Sequence, residues 1–454
     1  MMPAARVQRI FLAAVMLALT VSLLFGLLLP LYTDEVGWRC QERAAIDGVD
    51  KMFSDGCGPN TLAVPPLFMM PVRYFSAWTN LAFANPLFVR LSGVGYALLL
   101  VVLLWRLVRA TTRDGDERSL VRLIMFGLLG LGMQPLLLVW SRPEQPILLC
   151  LTGALLVAAR AWSEAEPASR RTVALRSLTI VALAVVALSY HLKGVLLSPV
   201  FALCLLTCGA GRATAALRWA GAVLLTTLAL VAARYWVARF ACPGDPLLAS
   251  IYAQHNISAA LINGGSPGDI LRALASNASP FRYILMAAPN DAPMSSWLVP
   301  GAIGPTAIFW WDRAVLLLWG AVLLVALVLL VAGLLHALRN RRVTPALLLA
   351  MALLGVTLVW TATQSVKNVY DASFVLSLLL LAILLALSTA RLSPNRLRML
   401  APLAVATGVA AILSPLLIVP AYLPSFRAAA RSPAYLADQP YSLPLFGYRD
   451  AEPT

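Results

Sequence analysis

The chain has 454 residues, of which 60% are hydrophobic and only 12% are charged. A soluble globular domain carries about 25% charged residues, so this composition excludes an ordinary soluble protein. The mean hydropathy is +0.82, and apolar stretches of about 20 residues recur along the chain, which predicts an all-α polytopic membrane protein. The net charge is +15. Excess arginine in a membrane protein usually sets orientation, and nothing in the pattern indicates nucleic-acid binding.

Hydropathy predicts eleven transmembrane helices. The first apolar stretch is longer than the roughly 7–15 residues of a signal-peptide core, so it is interpreted as a retained helix. The predicted spans lie at about 9–31, 86–108, 120–140, 144–162, 173–190, 194–211, 216–237, 314–335, 345–363, 371–389 and 399–420.

The distribution of arginine among the loops predicts the orientation of these spans in the membrane. One set of short loops is dense in arginine, so the positive-inside rule predicts that these loops and the N terminus are cytoplasmic. Loops at about 32–85 and 238–313 are then external, and both are expected to contain helices that lie in the membrane interface. The sequence thus predicts one transmembrane domain over 1–423 and a short external tail over 424–454. High alanine and arginine content indicates a bacterial cytoplasmic membrane.

An acid pair, Asp34 and Glu35, directly follows the first span within the sequence Tyr32-Thr33-Asp34-Glu35. Carboxylates beside a bilayer are costly, and they are often functional there. One interpretation is a general base or a substrate clamp at the outer membrane face. The other is a solvated pair of loop acids.

Three short external links also contain charged residues. Arg142 and Glu144 lie between spans three and four, where they bind a substrate or form a local salt bridge. His191 and Lys193 lie between spans five and six. A lysine at an external edge opposes the orientation rule, which favours either binding of an anionic phosphate or snorkelling to lipid headgroups. The same two readings apply to the last link, which contains Lys367, Tyr370 and Asp371.

The run from Thr33 to Arg39 resembles the start of the first external loop in GT-C membrane glycosyltransferases. It is similar to the aminoarabinose, arabinofuranosyl and protein-mannosyl transferase relatives. Arg-Pro-Glu at 142–144 and Lys-Gly at 193–194 fall where such enzymes often have Arg-Pro-acid and Lys-Gly. The resemblance covers about the first 200 residues. The large soluble C-terminal domain of many members is lacking here, so no acceptor-binding residues are assigned.

The resemblance implies transfer of a monosaccharide from a polyprenyl-phosphate donor to a lipid, glycan or protein hydroxyl outside the cytoplasm. Asp34 and Glu35 are the expected catalytic acids, and Arg142, His191, Lys193 and Lys367 the expected donor-phosphate ligands. These residues are expected to be supported by four others, namely Arg39, Glu144, Tyr370 and Asp371. No cofactor is expected, and no metal, although some relatives use a divalent ion that Asp34 and Glu35 could bind. Membrane lipids are the other expected partners.

Alternatives remain at this stage. A transporter or flippase of lipid-linked sugars would have ionisable residues near the midpoints of its spans. An O-antigen ligase or polymerase would use diphosphate-linked donors. The sequence does not distinguish aminoarabinose, arabinofuranose, mannose or glucose as the sugar. Cys40 and Cys57 are candidates for a disulfide in the first external loop, and Cys242 could pair with either.

Overall fold

The structure is a computed structural model of the whole chain. It describes residues 4–28, 66–72, 74–75, 86–113, 115–140, 142–162, 164, 168–209, 211, 214–239, 266–268, 271–272, 275, 280–286, 305–363, 369–389 and 394–430. Within these ranges the side chains of 4–6, 28, 86–90, 238–239, 285–286, 305–308, 369–370, 394 and 421–430 are not described.

The described residues are helical almost throughout, and they contain no strand. The long helices are α1 (Ala4–Phe25), α2 (Pro86–Thr111), α3 (Gly115–Leu129), α5 (Glu144–Trp162), α6 (Arg170–Tyr190), α9 (Ala215–Arg239), α11 (Pro305–Asn340), α12 (Pro345–Thr363), α13 (Val369–Thr389) and α14 (Pro394–Ala430). Shorter helices are α4 (Gln134–Leu138), α7 (Leu192–Leu196), α8 (Ser198–Thr207) and α10 (Phe281–Met286).

The predicted fold class, an all-α polytopic membrane protein, is confirmed. In the described part of the chain, nine helices are long and apolar enough to cross a membrane. They correspond to nine of the eleven predicted spans, and the chain is therefore a multi-pass membrane protein. The predicted spans at 120–140 and 194–211 differ, because each is divided into two shorter helices.

The first divided span consists of α3 and α4, with a turn at 130–133 between them. Gly132 has a φ of +60°, a conformation that favours glycine, and Pro135 follows in the first turn of α4. Every residue from 123 to 140 is buried. Interrupted helices at membrane depth are tolerated where protein surrounds them, and this burial meets that condition.

The second divided span consists of α7 and α8, which meet at Leu197. Pro199 lies in the first turn of α8, where its missing N–H is not needed. Gly194 in α7 packs directly on α6, and a Cβ at this position would overlap the carbonyl oxygen of Ala187. Glycine therefore allows α7 to fold back tightly against α6.

The helix α13 forms the centre of the bundle. It is rich in leucine, and from 371 to 387 all its residues are buried. A helix that is apolar on every side belongs in the interior, and α13 contacts α2, α3, α4, α5, α10, α11 and α12. The first turn of α13 contains Asp371.

The end of α1 lies against the link between α4 and α5. After α1 a turn of 3₁₀-helix (Gly26–Leu28) follows, and a Cβ at Gly26 would overlap the side chain of Val139. This packing places the exit of the first span beside the link that contains Arg142.

Candidate functional site

Three charged side chains from separate helices meet at one end of the bundle. Glu144 lies in the first turn of α5, Asp371 in the first turn of α13, and Lys193 in α7. The Nζ atom of Lys193 donates to Oε1 of Glu144, and it also donates to Oδ1 of Asp371 at 2.5 Å. Each helix begins just after a short link, which is why these side chains lie at the same level.

Arg142 completes this group. Its Nε lies 3.2 Å from Oε2 of Glu144, and its Nη2 lies 3.2 Å from Oε1. Such two-point binding is the strong geometry between a guanidinium and a carboxylate. We call Arg142, Glu144, Lys193 and Asp371 the ion cluster. It contains two cations and two carboxylates, so its formal charge is zero.

The ion cluster is almost completely buried. The side chains of Lys193, Glu144 and Asp371 are only 4%, 3% and 6% exposed. Buried charges are tolerated when they are paired and hydrogen-bonded. Two aromatic rings line the lysine, because its Nζ lies 5.0 Å from the ring centre of Trp360 and 5.6 Å from that of Phe374. Cation–π attraction therefore adds to the carboxylate contacts.

His191 begins α7 and caps it. Its Nδ1 accepts a hydrogen bond from the backbone N–H of Lys193 at 3.2 Å, and its ring lies 6.1 Å from that of Trp236. This contact occupies Nδ1 and fixes the orientation of the ring, so Nε2 is the remaining ring nitrogen.

Tyr283 is a neighbour of the ion cluster that sequence reasoning missed. It lies in α10, part of the second predicted external loop, and its side chain is fully buried. Burial raises the pKa of Tyr283 well above its ordinary value, and the negative charge of Asp371 raises it further. The helix α10 contacts α13. The sequence Phe281-Arg282-Tyr283 gave no signal, because an aromatic loop residue does not reveal which helix it meets.

Asp312, near the start of α11, is a buried acid that the sequence analysis did not single out. It directly follows the aromatic run Phe309-Trp310-Trp311. An acid next to such an aromatic run was the available signal.

The structure brings together five of the predicted site residues: Arg142, Glu144, His191, Lys193 and Asp371. Asp34, Glu35, Arg39 and Lys367 lie outside the described residues, as do Cys40, Cys57 and Cys242. Tyr370 lies in α13, but its side chain is not described. Among the described residues no group of three or more His, Cys, Asp or Glu side chains could hold a metal ion.

No protein-family model matches the chain, and no curated protein matches its sequence. The comparison with solved structures found similarity to the Archaeoglobus fulgidus oligosaccharyltransferase. The apo form is 13% identical with a TM-score of 0.42, and 92% of this chain aligns with 55% of it. The archaeal oligosaccharyltransferase AglB in complex with an inhibitory peptide and a dolichol-phosphate is 12% identical, with a TM-score of 0.44 over 97% of this chain and 60% of that one. This chain thus spans less than two thirds of either, and at this similarity the likeness does not bear on activity.

Proposed function

We propose that this multi-pass membrane protein is a GT-C-type glycosyltransferase that moves a monosaccharide from a polyprenyl-phosphate donor to an acceptor hydroxyl. The acceptor belongs to a lipid, a glycan or a protein. The observation that supports this proposal is the ion cluster, in which charged residues of three separate short links meet at one end of the bundle. A transporter would instead need ionisable groups near the midpoints of its spans.

Lys193 is the proposed contact of the donor phosphate. Its ammonium group has three N–H donors, and two of them bind Glu144 and Asp371. The third can donate to a phosphate oxygen. Because the carboxylates and Trp360 fix the ammonium group in place, little side-chain entropy would be lost on binding.

The net charge of the ion cluster limits how it binds a dianion. Arg142 and Lys193 are balanced by Glu144 and Asp371. Lys367, two residues before α13, is therefore the proposed source of additional positive charge. His191 is proposed to contribute the N–H of its Nε2. Arg39 and Tyr370 are proposed to support the site.

In the proposed reaction, the acceptor oxygen attacks the anomeric carbon of the sugar. The bond between that carbon and the phosphate oxygen breaks, and its electron pair leaves with the polyprenyl phosphate. The cations stabilise the charge that develops on this leaving group. Attack from the opposite face inverts the anomeric centre. The hydroxyl proton passes to a carboxylate, so neither a metal nor a general acid is required in this scheme.

Asp34 is the proposed base, with Glu35 as its partner. Asp34 follows Leu28 by six residues, and six extended residues reach about 20 Å. The 3₁₀ turn that ends at Leu28 packs beside Val139, three residues before Arg142. A base on this segment is therefore within reach of the ion cluster. The proposed location is the external face of a bacterial cytoplasmic membrane, with the N terminus in the cytoplasm.

The test begins with mass spectrometry of the purified protein, which should detect a co-purified polyprenyl-phosphate sugar and identify the sugar. Transfer is then measured with that donor. Asp34→Asn should retain the donor and lower the transfer rate by about 10²–10⁴, the usual contribution of a general base. Asp269→Asn, an acid in the second long loop, is the matched control and should remain active.

Glu35→Gln should have the milder effect. If Glu35→Gln abolishes transfer while Asp34→Asn retains it, the base is Glu35. If the double variant transfers sugar at the normal rate, the proposed mechanism is wrong.

A further inference from the structure

The hairpin between α2 and α3 contains a second concentration of charge, at the far end of α3 from the ion cluster. It contains the acids Asp116 and Glu117, but more of its charged side chains are arginines. The described arginines are Arg106, Arg109, Arg113, Arg118 and Arg122. None of the five forms a salt bridge to a described carboxylate.

Arg122 is held in a fixed position. Its guanidinium carbon lies 3.6 Å from the ring centre of Trp105, on the neighbouring helix α2. Its Nε is buried, and it has no hydrogen-bond partner among the residues that the structure describes. The charged groups that act on it most strongly are Arg118 and Arg109, and both repel it. We call Arg109, Arg118 and Arg122 the arginine cluster.

Arg118 binds only neutral oxygens. Its Nε lies 3.4 Å from Oγ1 of Thr112, and its Nη2 donates to the carbonyls of Thr112 and Arg113 at 3.4 and 3.3 Å. Glu117 is buried nearby, and its Oε2 accepts the backbone N–H of Arg113. Among the described residues, no carboxylate therefore forms a salt bridge with the arginine cluster.

Arg176, another arginine at this end of the bundle, forms a salt bridge with Glu164. This contact explains Arg176 by the fold alone. The arginine cluster differs, because no described carboxylate forms a salt bridge with its mutually repelling guanidinium groups.

The lipid-facing surface of α2 leads directly to the arginine cluster. Leu98, Leu99 and Val102 are exposed apolar residues on α2, and Trp105 follows one turn later. Acyl chains cover such a surface in a bilayer, and tryptophan marks the depth of the headgroups. An anion that reaches the cluster beside these residues would therefore be attached to a lipid.

We propose that the arginine cluster binds the phosphate group of one anionic phospholipid, whose acyl chains lie against Leu98, Leu99 and Val102. Guanidinium groups form strong, geometrically defined hydrogen bonds with phosphate, and the orphan Nε of Arg122 supplies one donor. Binding also relieves the mutual repulsion of the three arginines. Basic pockets between transmembrane helices are known to select such headgroups.

The test uses the purified full chain in an uncharged detergent. Native mass spectrometry measures retention of phosphatidylglycerol, with phosphatidylcholine, a zwitterion of zero net charge, as the comparison and inorganic phosphate as a soluble competitor. Arg122→Gln and Arg109→Gln should each weaken phosphatidylglycerol retention about tenfold, the usual effect of losing a charge-assisted hydrogen bond. Arg339→Gln removes an exposed charge at the end of α11, and it should change nothing.

Three results would overturn the proposal. The first is normal phosphatidylglycerol retention by both Arg122→Gln and Arg109→Gln. The second is an equal loss in Arg339→Gln, which would indicate a diffuse charge effect. The third is displacement of the lipid by millimolar inorganic phosphate, which would indicate a site for soluble anions. If Arg122→Gln does not fold, the exposed Arg109→Gln still decides the question.

Discussion

The ion cluster and the arginine cluster differ in how their charges are balanced. At the ion cluster, Lys193 and Arg142 are buried, and Glu144 and Asp371 neutralise them within the fold. At the arginine cluster, like charges lie near one another and are half-exposed, and no described carboxylate forms a salt bridge with them. Charge that is removed from solvent has to be balanced by the protein itself, whereas charge at the surface can be balanced by its surroundings.

This contrast predicts that neutralising a charge has opposite consequences at the two places. In the ion cluster it unpairs a buried partner, and stability falls. In the arginine cluster it removes repulsion, and stability rises slightly. Four measurements test or sharpen the comparison, from the largest expected effect to the smallest.

Lys193→Met should destabilise the protein by about 3–5 kcal/mol, because it leaves the carboxylate of Asp371 buried without a counter-charge. Denaturant unfolding of the detergent-solubilised protein measures the change. The double variant Lys193→Met, Asp371→Asn is the control, because it removes one charge of each sign and leaves Glu144 paired with Arg142. It should recover part of the loss. Equal stability of Lys193→Met and the wild type would show that these ion pairs do not hold the helices together.

Gly194→Ala should destabilise the protein by about 2–3 kcal/mol, because the added methyl overlaps the carbonyl oxygen of Ala187. The contact is with backbone, so α7 has to move, and Lys193 moves with it. Thermal unfolding compares this variant with Gly320→Ala, where a Cβ meets no atom within 4 Å. Gly320→Ala should be neutral or slightly stabilising. Similar effects at both glycines would mean that helix propensity rather than packing is responsible.

Tyr283→Phe should make the free energy of unfolding fall less steeply as the pH rises into the alkaline range. The folded-state pKa of Tyr283 is raised above its ordinary value of about 10. Its contribution is fully present below pH 10 and is lost above it, because the unfolded chain then releases a proton that the native state keeps. The expected loss is at most about 1.4 kcal/mol per pH unit.

Unfolding measured between pH 9 and 11 should therefore show a steeper decline for the wild type than for Tyr283→Phe. Tyr74→Phe is the control, since Tyr74 is exposed. Parallel curves for the wild type and Tyr283→Phe would contradict the assigned environment of Tyr283.

Arg109→Gln should raise stability by up to about 0.5 kcal/mol in lipid-free, uncharged detergent, because it removes repulsion from Arg122. High salt should stabilise the wild type and reduce this gain, since salt screens exposed charges. Thermal unfolding at low and high salt measures both effects. A loss of stability in Arg109→Gln would mean that the arginine cluster is held together by internal contacts, and the contrast with the ion cluster would disappear.

The sequence by itself determined the fold class and the links that contain charge. Hydropathy is a local and additive property, so windows of about 20 residues identified nine unbroken spans and drew attention to Arg142, Glu144, His191, Lys193 and Asp371. It did not indicate that the predicted spans at 120–140 and 194–211 are divided, because apolar content persists across the turn at Gly132 and the junction at Leu197.

Only the tertiary structure decided what each charge meets. Lys193 binds Glu144 across 49 residues of sequence and Asp371 across 178. No local pattern encodes these distances, because they depend on where remote helices begin in the bundle. The sequence offered phosphate binding and snorkelling as the two interpretations of Lys193. It did not indicate that two buried carboxylates bind this lysine. The raised pKa of Tyr283 beside Asp371 has the same origin, since ionisation depends on neighbours that only the folded chain brings together.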